Sequence, residues 1–223
     1  MKVYLNGISN APLRVRIALA LKEMEVEEIH VDLERDGGGQ HAEEFRRMNP
    51  QEMIPVLVDG DRIIRQSLAI IEYLEERKPL PALLPPDPGG RARVRSLAMV
   101  MACDGQPLLN LRVTQYLESR LRLPDRECAE WMRHWMRLSV HEYESLLTSD
   151  PRPGRLSHGD APTLADVCLV PQVLMAQRFG IDMDDFPRVV EIFRAALQID
   201  RVAAAVEESL RKGAGERVAN WLA

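Results

Sequence analysis

The chain has 223 residues and a mass of 25.3 kDa, enough for one large or two modest domains without disulfide staples. Its 46% hydrophobic and 28% charged residues mark an ordinary globular protein and exclude fibrous, collagenous and disordered classes. Lys and Arg total 29 against 34 Asp and Glu, a net charge of −5; no basic block tracks a phosphate backbone, and no run nears the ~18 apolar residues of a membrane span.

In chain order, Val3 to Leu5 is strand-like, Leu13 to Lys22 carries helical apolar spacing, and Val26 to Leu33 alternates like a half-buried strand. A loop at Asp36-Gly37-Gly38-Gly39 precedes a short amphipathic helix from Ala42 to Met48. Ile54-Pro55 then leads into a strand over Val56 to Val58, a turn at Asp59-Gly60, a strand over Arg62 to Ile64 and a helix over Ser67 to Arg77. The order is βαβαββα. A helical crossover demands a parallel pair and a two-residue turn an antiparallel one, so residues 1–78 are predicted to form a small mixed sheet of the α/β thioredoxin-like class. Lys78 to Gly90 holds five prolines and two glycines and reads as a linker over 79–90. Beyond it, Arg91 to Arg122, Arg126 to Leu147, Thr163 to Phe179, Pro187 to Gln198 and Arg201 to Arg211 show 3.6-residue periodicity, so 91–223 is predicted to be an all-α helical domain.

The three cysteines, Cys103, Cys128 and Cys168, lack CxxC spacing, which suits a reducing compartment and neither a zinc site nor a disulfide framework. Of the five histidines only His134 and His141 share a helical face, and no metal is expected. The opening Met1-Lys2-Val3-Tyr4-Leu5 has no secretory h-region, so a cytoplasmic location is expected.

Three places can carry chemistry. A helix starting just after the first strand presents free N–H groups and the positive end of its dipole, where a thiolate or phosphate is stabilised. Here that start reads Ser9-Asn10-Ala11-Pro12. Pro12 suits a first turn and Ser9 or Asn10 can cap it. No cysteine nucleophile stands there, so any thiol must arrive with a ligand, its pKa lowered by the Ser9 hydroxyl and the dipole. Ile54-Pro55 before a strand is a candidate cis peptide whose backbone can pair with an extended peptide ligand. Gln66-Ser67 lies between strand and helix, where Ser67 either caps or holds a ligand carboxylate. Together these ask for a thiol-bearing, peptide-like, acidic ligand. Thr163-Leu164-Ala165-Asp166 has capping-box spacing and is read as fold-stabilising. Trp131, Trp135, Met99, Met101, Met132 and Met136 fall at helical spacings as core or subunit interface.

The runs Arg14-Val15-Arg16-Ile17-Ala18-Leu19-Ala20-Leu21-Lys22, Asn49-Pro50 with Ile54-Pro55, Gln66-Ser67-Leu68-Ala69-Ile70-Ile71-Glu72-Tyr73-Leu74-Glu75-Glu76, and Gly159 to Val173 with its Leu169-Val170-Pro171-Gln172-Val173 segment are similar to the zeta class of glutathione transferases. That class comprises the maleylacetoacetate and maleylpyruvate isomerases, and the resemblance spans nearly the whole chain. It implies glutathione as cofactor, bound where the two domains meet, and a small acidic electrophilic substrate drawn from aromatic amino acid catabolism. It also implies a cytoplasmic homodimer with no nucleic-acid or membrane partner. Gln66 and Ser67 would hold the γ-glutamyl carboxylate, Ile54 would pair with the cysteinyl unit, and Gln40 would approach from the glycine loop. Ser9, with Asn10 and Ala11 beside it, would meet the sulfur. Gln106, Asn110 and Arg112 would line the site from the helical domain, and Arg178 would grip a substrate carboxylate through its planar fork.

The class motif begins Arg-Ser-Ser-Cys-Ser or Arg-Ser-Gly-Thr-Ser, whereas this chain reads Ile8-Ser9-Asn10-Ala11-Pro12. Replacing that arginine by Ile8 removes one charge-assisted contact of about 1.5–3 kcal/mol. Cis-trans isomerisation of an enedione acid is the leading expectation. Conjugation or dehalogenation of small electrophiles, and a non-catalytic glutathione-binding scaffold, are the alternatives.

Overall fold

A computed structural model describes residues 1–7, 9–33, 37–151 and 154–213. The departure at Ile8 and the loop residue Asp36 lie outside the described residues. Apolar alternation in the first unit yields four strands: β1 (Lys2–Leu5), β2 (Glu27–His30), β3 (Val56–Asp59) and β4 (Arg62–Arg65), ordered β2-β1-β3-β4. Helix α1 (Asn10–Leu21) crosses over to make β1 and β2 parallel, while β1 with β3 and β3 with β4 are antiparallel. The mixed sheet is the one expected. Asp59 pairs with Arg62, so the two-residue turn is Gly60-Asp61 rather than Asp59-Gly60. Gly60 adopts φ +62°, a left-handed conformation that costs a residue without Cβ nothing.

Tyr4 and Val56 sit opposite each other and pack with Val31 and Ile54 around Phe45 of α2 (Glu43–Met48). The alternate positions Val3, Leu5 and Leu57 face the other way and are buried with α1 and α3 (Ser67–Arg77), whose Ile17, Ile70, Ile71 and Leu74 are almost fully covered. Lys22, at the end of α1, is completely buried. Its ammonium meets Glu75 at 2.5 Å and the carbonyls of Lys78 and Pro81 at 2.7 and 3.0 Å, fixing the chain as it leaves α3. Glu75 also accepts from the Leu83 backbone.

The prolines do not extend the linker as far as expected. Pro88 opens α4 (Pro88–Met99), because its missing donor costs nothing at a first helical position and the Asp87 carboxylate accepts from Gly90 N–H at 2.7 Å. The single helix expected over Arg91–Arg122 is broken. A π-helical segment (Val100–Gly105) and a 3₁₀ turn (Gln106–Leu109) intervene before α5 (Leu111–Ser119). Gly105 lies so close to Ser139 that a Cβ would overlap it, and Pro107 cannot donate to a continuing helix. Helices α6 (Asp125–Ser149), α7 (Leu164–Arg178) and α8 (Pro187–Leu197) complete this unit. Asp166 accepts from both the N–H and the hydroxyl of Thr163 and from Ser157 N–H, as the capping-box spacing requires. Met101, Met132 and Met136 are core, while Met99 is exposed.

By compactness the described residues divide into Leu84–Ile199 and a discontinuous unit made of Met1–Leu83 with residues 200–213. Helix α9 (Asp200–Lys212), which periodicity had grouped with 91–223, therefore packs on α1 of the first unit. Val202, Ala205 and Val206 form its buried face.

Candidate functional site

Strand register decides which loops share one end of the sheet. Tyr4 pairs with Val56 and Val56 with Arg65, so the segment after β1, the segment before β3 and the segment after β4 all emerge at that end. These are the segments carrying Ser9, Ile54-Pro55 and Gln66-Ser67. Because β1 and β2 are parallel, β2 also runs out there, toward the turn (Gly39–His41) that holds Gln40. The topology thus brings the first-unit candidates to one rim.

Ser9 is the N-cap of α1 through its backbone alone: its carbonyl accepts from Leu13 N–H at 3.1 Å, and its hydroxyl makes no capping hydrogen bond. The Ser9 N–H donates to Asn6 Oδ1 at 3.2 Å. Asn10, Ala11 and Pro12 form the first helical turn, which contains no acidic residue to neutralise the dipole. A half-buried hydroxyl that takes no part in capping and a positive helix end therefore stand together.

The second helix start differs from expectation. Gln66, not Ser67, occupies the N-cap of α3, at φ +72°, and Ser67 is the first helical residue. Gln66 donates from Nε2 to Gln51 Oε1 at 2.9 Å. The buried Ser67 hydroxyl accepts from Arg14 Nη1 at 3.4 Å. With that acceptor position filled, the Ser67 proton is directed elsewhere, and a buried guanidinium backs a helix start that also lacks acids. This pairing favours a carboxylate. Arg14 and Gln51 were not singled out from sequence; the signal was a cationic residue inside an apolar helical run.

Ile54-Pro55 is cis, and Ile54 is buried beside β3. Gln40 is buried. Its Nε2 donates to Leu33 O at 3.3 Å and lies 3.2 Å from His41 Nε2, while His41 Nδ1 pairs with Glu52. Gln40 Oε1 has no hydrogen-bond partner among the described residues and is an acceptor held ready for a ligand donor.

Gln106, Asn110, Arg112 and Arg178 belong to the helical unit. Gln106 opens the 3₁₀ turn, which Trp131 anchors by donating from Nε1 to Leu108 O at 2.9 Å. Asn110 has a structural task that was not foreseen: its Oδ1 caps α5 by accepting from Arg112 N–H at 3.2 Å. The Arg112 and Arg178 side chains are exposed, the latter at the end of α7. Among the described residues no group of three or more His, Cys, Asp or Glu side chains is placed to hold a metal ion, and no helix is long and apolar enough to cross a membrane.

The family described as Glutathione S-transferase, N-terminal domain, matches residues 8–82. A probable maleylacetoacetate isomerase of Vibrio cholerae is 43% identical over 201 residues, which are 90% of this chain and 93% of that protein. A maleylpyruvate isomerase of a Ralstonia species is 41% identical over the same shares. Among solved structures, a maleylacetoacetate isomerase from Methylobacterium extorquens AM1 with bound malonate and glutathione superposes with a TM-score of 0.91 at 40% identity, over 97% of this chain and all of the other. The holo structure of a bacterial zeta-class maleylpyruvate isomerase gives a TM-score of 0.89 at 39% identity, over 94% and 98%.

Proposed function

Because the chain belongs to the glutathione S-transferase family, on its zeta-class maleylacetoacetate isomerase branch, we propose that it is a glutathione-dependent cis-trans isomerase of small enedione acids of the maleylacetoacetate or maleylpyruvate type. The observation that carries this reading is the Ser9 hydroxyl, left out of capping at a helix start without acids. Bound glutathione supplies a sulfur nucleophile that adds to the cis double bond and leaves after rotation, so it is regenerated. Ser9 donates a hydrogen bond to that sulfur, and the α1 dipole with Asn10 and Ala11 N–H groups favours its anionic form. Ser67, oriented by Arg14, and the Gln66 turn hold the γ-glutamyl carboxylate; Ile54 offers main-chain pairing, and Gln40 Oε1 accepts from the ligand's far end. Gln106, Asn110 and Arg112 contribute from the helical unit, and Arg178 anchors a substrate carboxylate so that the alkene meets the sulfur in reacting geometry. A cytoplasmic homodimer acting in aromatic breakdown completes the proposal, on the strength of the family.

The apolar Ile8 in place of an arginine favours one competing reading, conjugation or dehalogenation, which needs fewer carboxylate anchors. One assay separates them. Maleylpyruvate and an α-halo acid are offered with glutathione, and both turnover and residual thiol are followed. Isomerisation with glutathione conserved is the expected result. Thiol consumed with the halo acid and no isomerisation would replace the proposal by the transferase reading.

A further inference from the structure

Helix α9 ends against the turn that presents Ser9. The Ser209 hydroxyl, almost fully buried, donates to Gly7 O, a contact spanning 202 residues of sequence. Arg16 lies behind it. Its Nη1 donates to Ser209 Oγ at 3.1 Å and to Asn6 O at 3.4 Å, while its Nε and Nη2 grip Glu28 at 3.1 and 3.0 Å. Lys212 closes the cluster by pairing with Glu28 and with Glu208. Gly7 has no room for a side chain, since a Cβ there would overlap the Gly213 backbone. Asn6 takes part twice, its carbonyl held by Arg16 and its Oδ1 accepting the Ser9 N–H. A continuous chain of contacts therefore runs from Ser209 of α9 through Arg16 and Asn6 to Ser9, with Gly7 held beside it by Ser209.

We propose that α9 fixes the geometry of the catalytic turn, with Ser209, Arg16 and Asn6 as positioning residues that aim the Ser9 hydroxyl at the glutathione sulfur. The inference rests on the Ser9 assignment above. The carbonyls of Leu5, Asn6 and Gly7 are all tied down from outside the turn, by Val31 N–H, Arg16 and Ser209, so the hydroxyl's direction is set by contacts that touch no ligand. Loss of a tie lets the turn relax and lengthens the one hydrogen bond that distinguishes ionised from protonated sulfur. Binding of the rest of the ligand does not depend on it, because Gln66, Ser67 and Ile54 are held by α3 and β3.

The test compares the full-length parent with Ser209→Ala and Asn6→Ala. Three quantities are read: the pKa of bound glutathione from ultraviolet thiolate absorbance, kcat with maleylpyruvate, and the Kd of S-methylglutathione, which has no ionisable thiol. Each variant is expected to raise the bound-thiol pKa by about half a unit or more and to lower kcat about threefold or more near neutral pH, with S-methylglutathione binding within about twofold of the parent. A lowered thiol pKa in the parent that both variants leave unchanged, with turnover unchanged, would overturn the positioning role and leave the proposed function intact. A parent that binds glutathione without lowering its pKa would instead overturn the Ser9 assignment. Should Ser209→Ala prevent folding, Asn6→Ala leaves the α9 contacts intact and decides the matter alone.

Discussion

Replacing Ser9 by Ala tests the site with little interference from the fold. An N-cap serine whose hydroxyl accepts from the first turn usually contributes about 1 kcal/mol to stability. Here the hydroxyl makes no such bond and the cap is made by the Ser9 carbonyl, which alanine retains. The expected stability change is therefore under about 0.5 kcal/mol. Catalysis should respond far more. A hydrogen bond to a charged acceptor contributes roughly 1.5–3 kcal/mol, equivalent to about one to two units in the thiol pKa. At a pH near neutrality that places turnover about ten- to a hundredfold below the parent. The measurements are urea unfolding, the thiolate titration of bound glutathione, and isomerisation rates from pH 6 to 9, all on the intact chain. A variant that loses about 1 kcal/mol of stability while keeping parental turnover would refute the reasoning, for Ser9 would then be a cap and nothing else.

Lys22→Met should be severe, since it strands Glu75 and two carbonyls in the interior; removing one partner of a buried pair costs about 3–5 kcal/mol, a large part of a domain's stability. A urea midpoint shift equivalent to less than about 1 kcal/mol would contradict that account. Burial pushes the Glu28 carboxyl up, but hydrogen bonds from Arg16 and Lys212 outweigh this and hold it below its ordinary 4.5. Its contribution is present above that value and is lost as pH falls through the depressed one. Lys212 is drawn down by burial yet raised overall above 10.5 by Glu208 and Glu28, so its contribution is present below 10.5 and lost as pH rises through the raised value. Amide exchange in α9 should accordingly be slowest, after correction for intrinsic rates, between these limits, and Glu28→Gln should flatten the acid limb; an unaltered acid limb would count against the network. Finally, burial raises the Cys128 thiol, with Glu118, Asp125 and Glu127 adding to it, and Cys168 is also buried, whereas Cys103 is exposed. A thiol reagent should label one cysteine quickly in the native protein and all three after denaturation; two fast native thiols would show the helical core to be more open than described.

The strands and most helices of the chain were legible because their apolar periods are strong and their ends carry Pro, Gly and Asp. Ser67 to Arg77 was bounded to the residue. The failures are local competitions. Pro88 both breaks and begins helices, and only Asp87 three residues before Gly90 tells which. The π segment at Val100–Gly105 leaves no trace in apolar spacing, and the closeness of Gly105 at its end to Ser139 of another helix cannot be read from local sequence. The placement of α9 followed the same pattern, its amphipathic face being visible while its partner was not. Of the candidate site, the residues at helix starts could be read from cap chemistry. Arg14, Asn6 and Gln51 could not, for their importance lies in which hydroxyl or amide they reach across the fold.

The discontinuity of the first unit carries a consequence for biosynthesis. The carbonyl of Gly7 leaves the ribosome 202 residues ahead of its partner Ser209. At bacterial or animal elongation rates of about 5–20 residues per second, that is a delay of roughly ten to forty seconds. During this time the nascent sheet has its strands and α1 but not the helix that braces the Ser9 turn. Translation products truncated before Ser209 would then carry a loosened turn, and the completed geometry becomes a mark of a chain synthesised through α9.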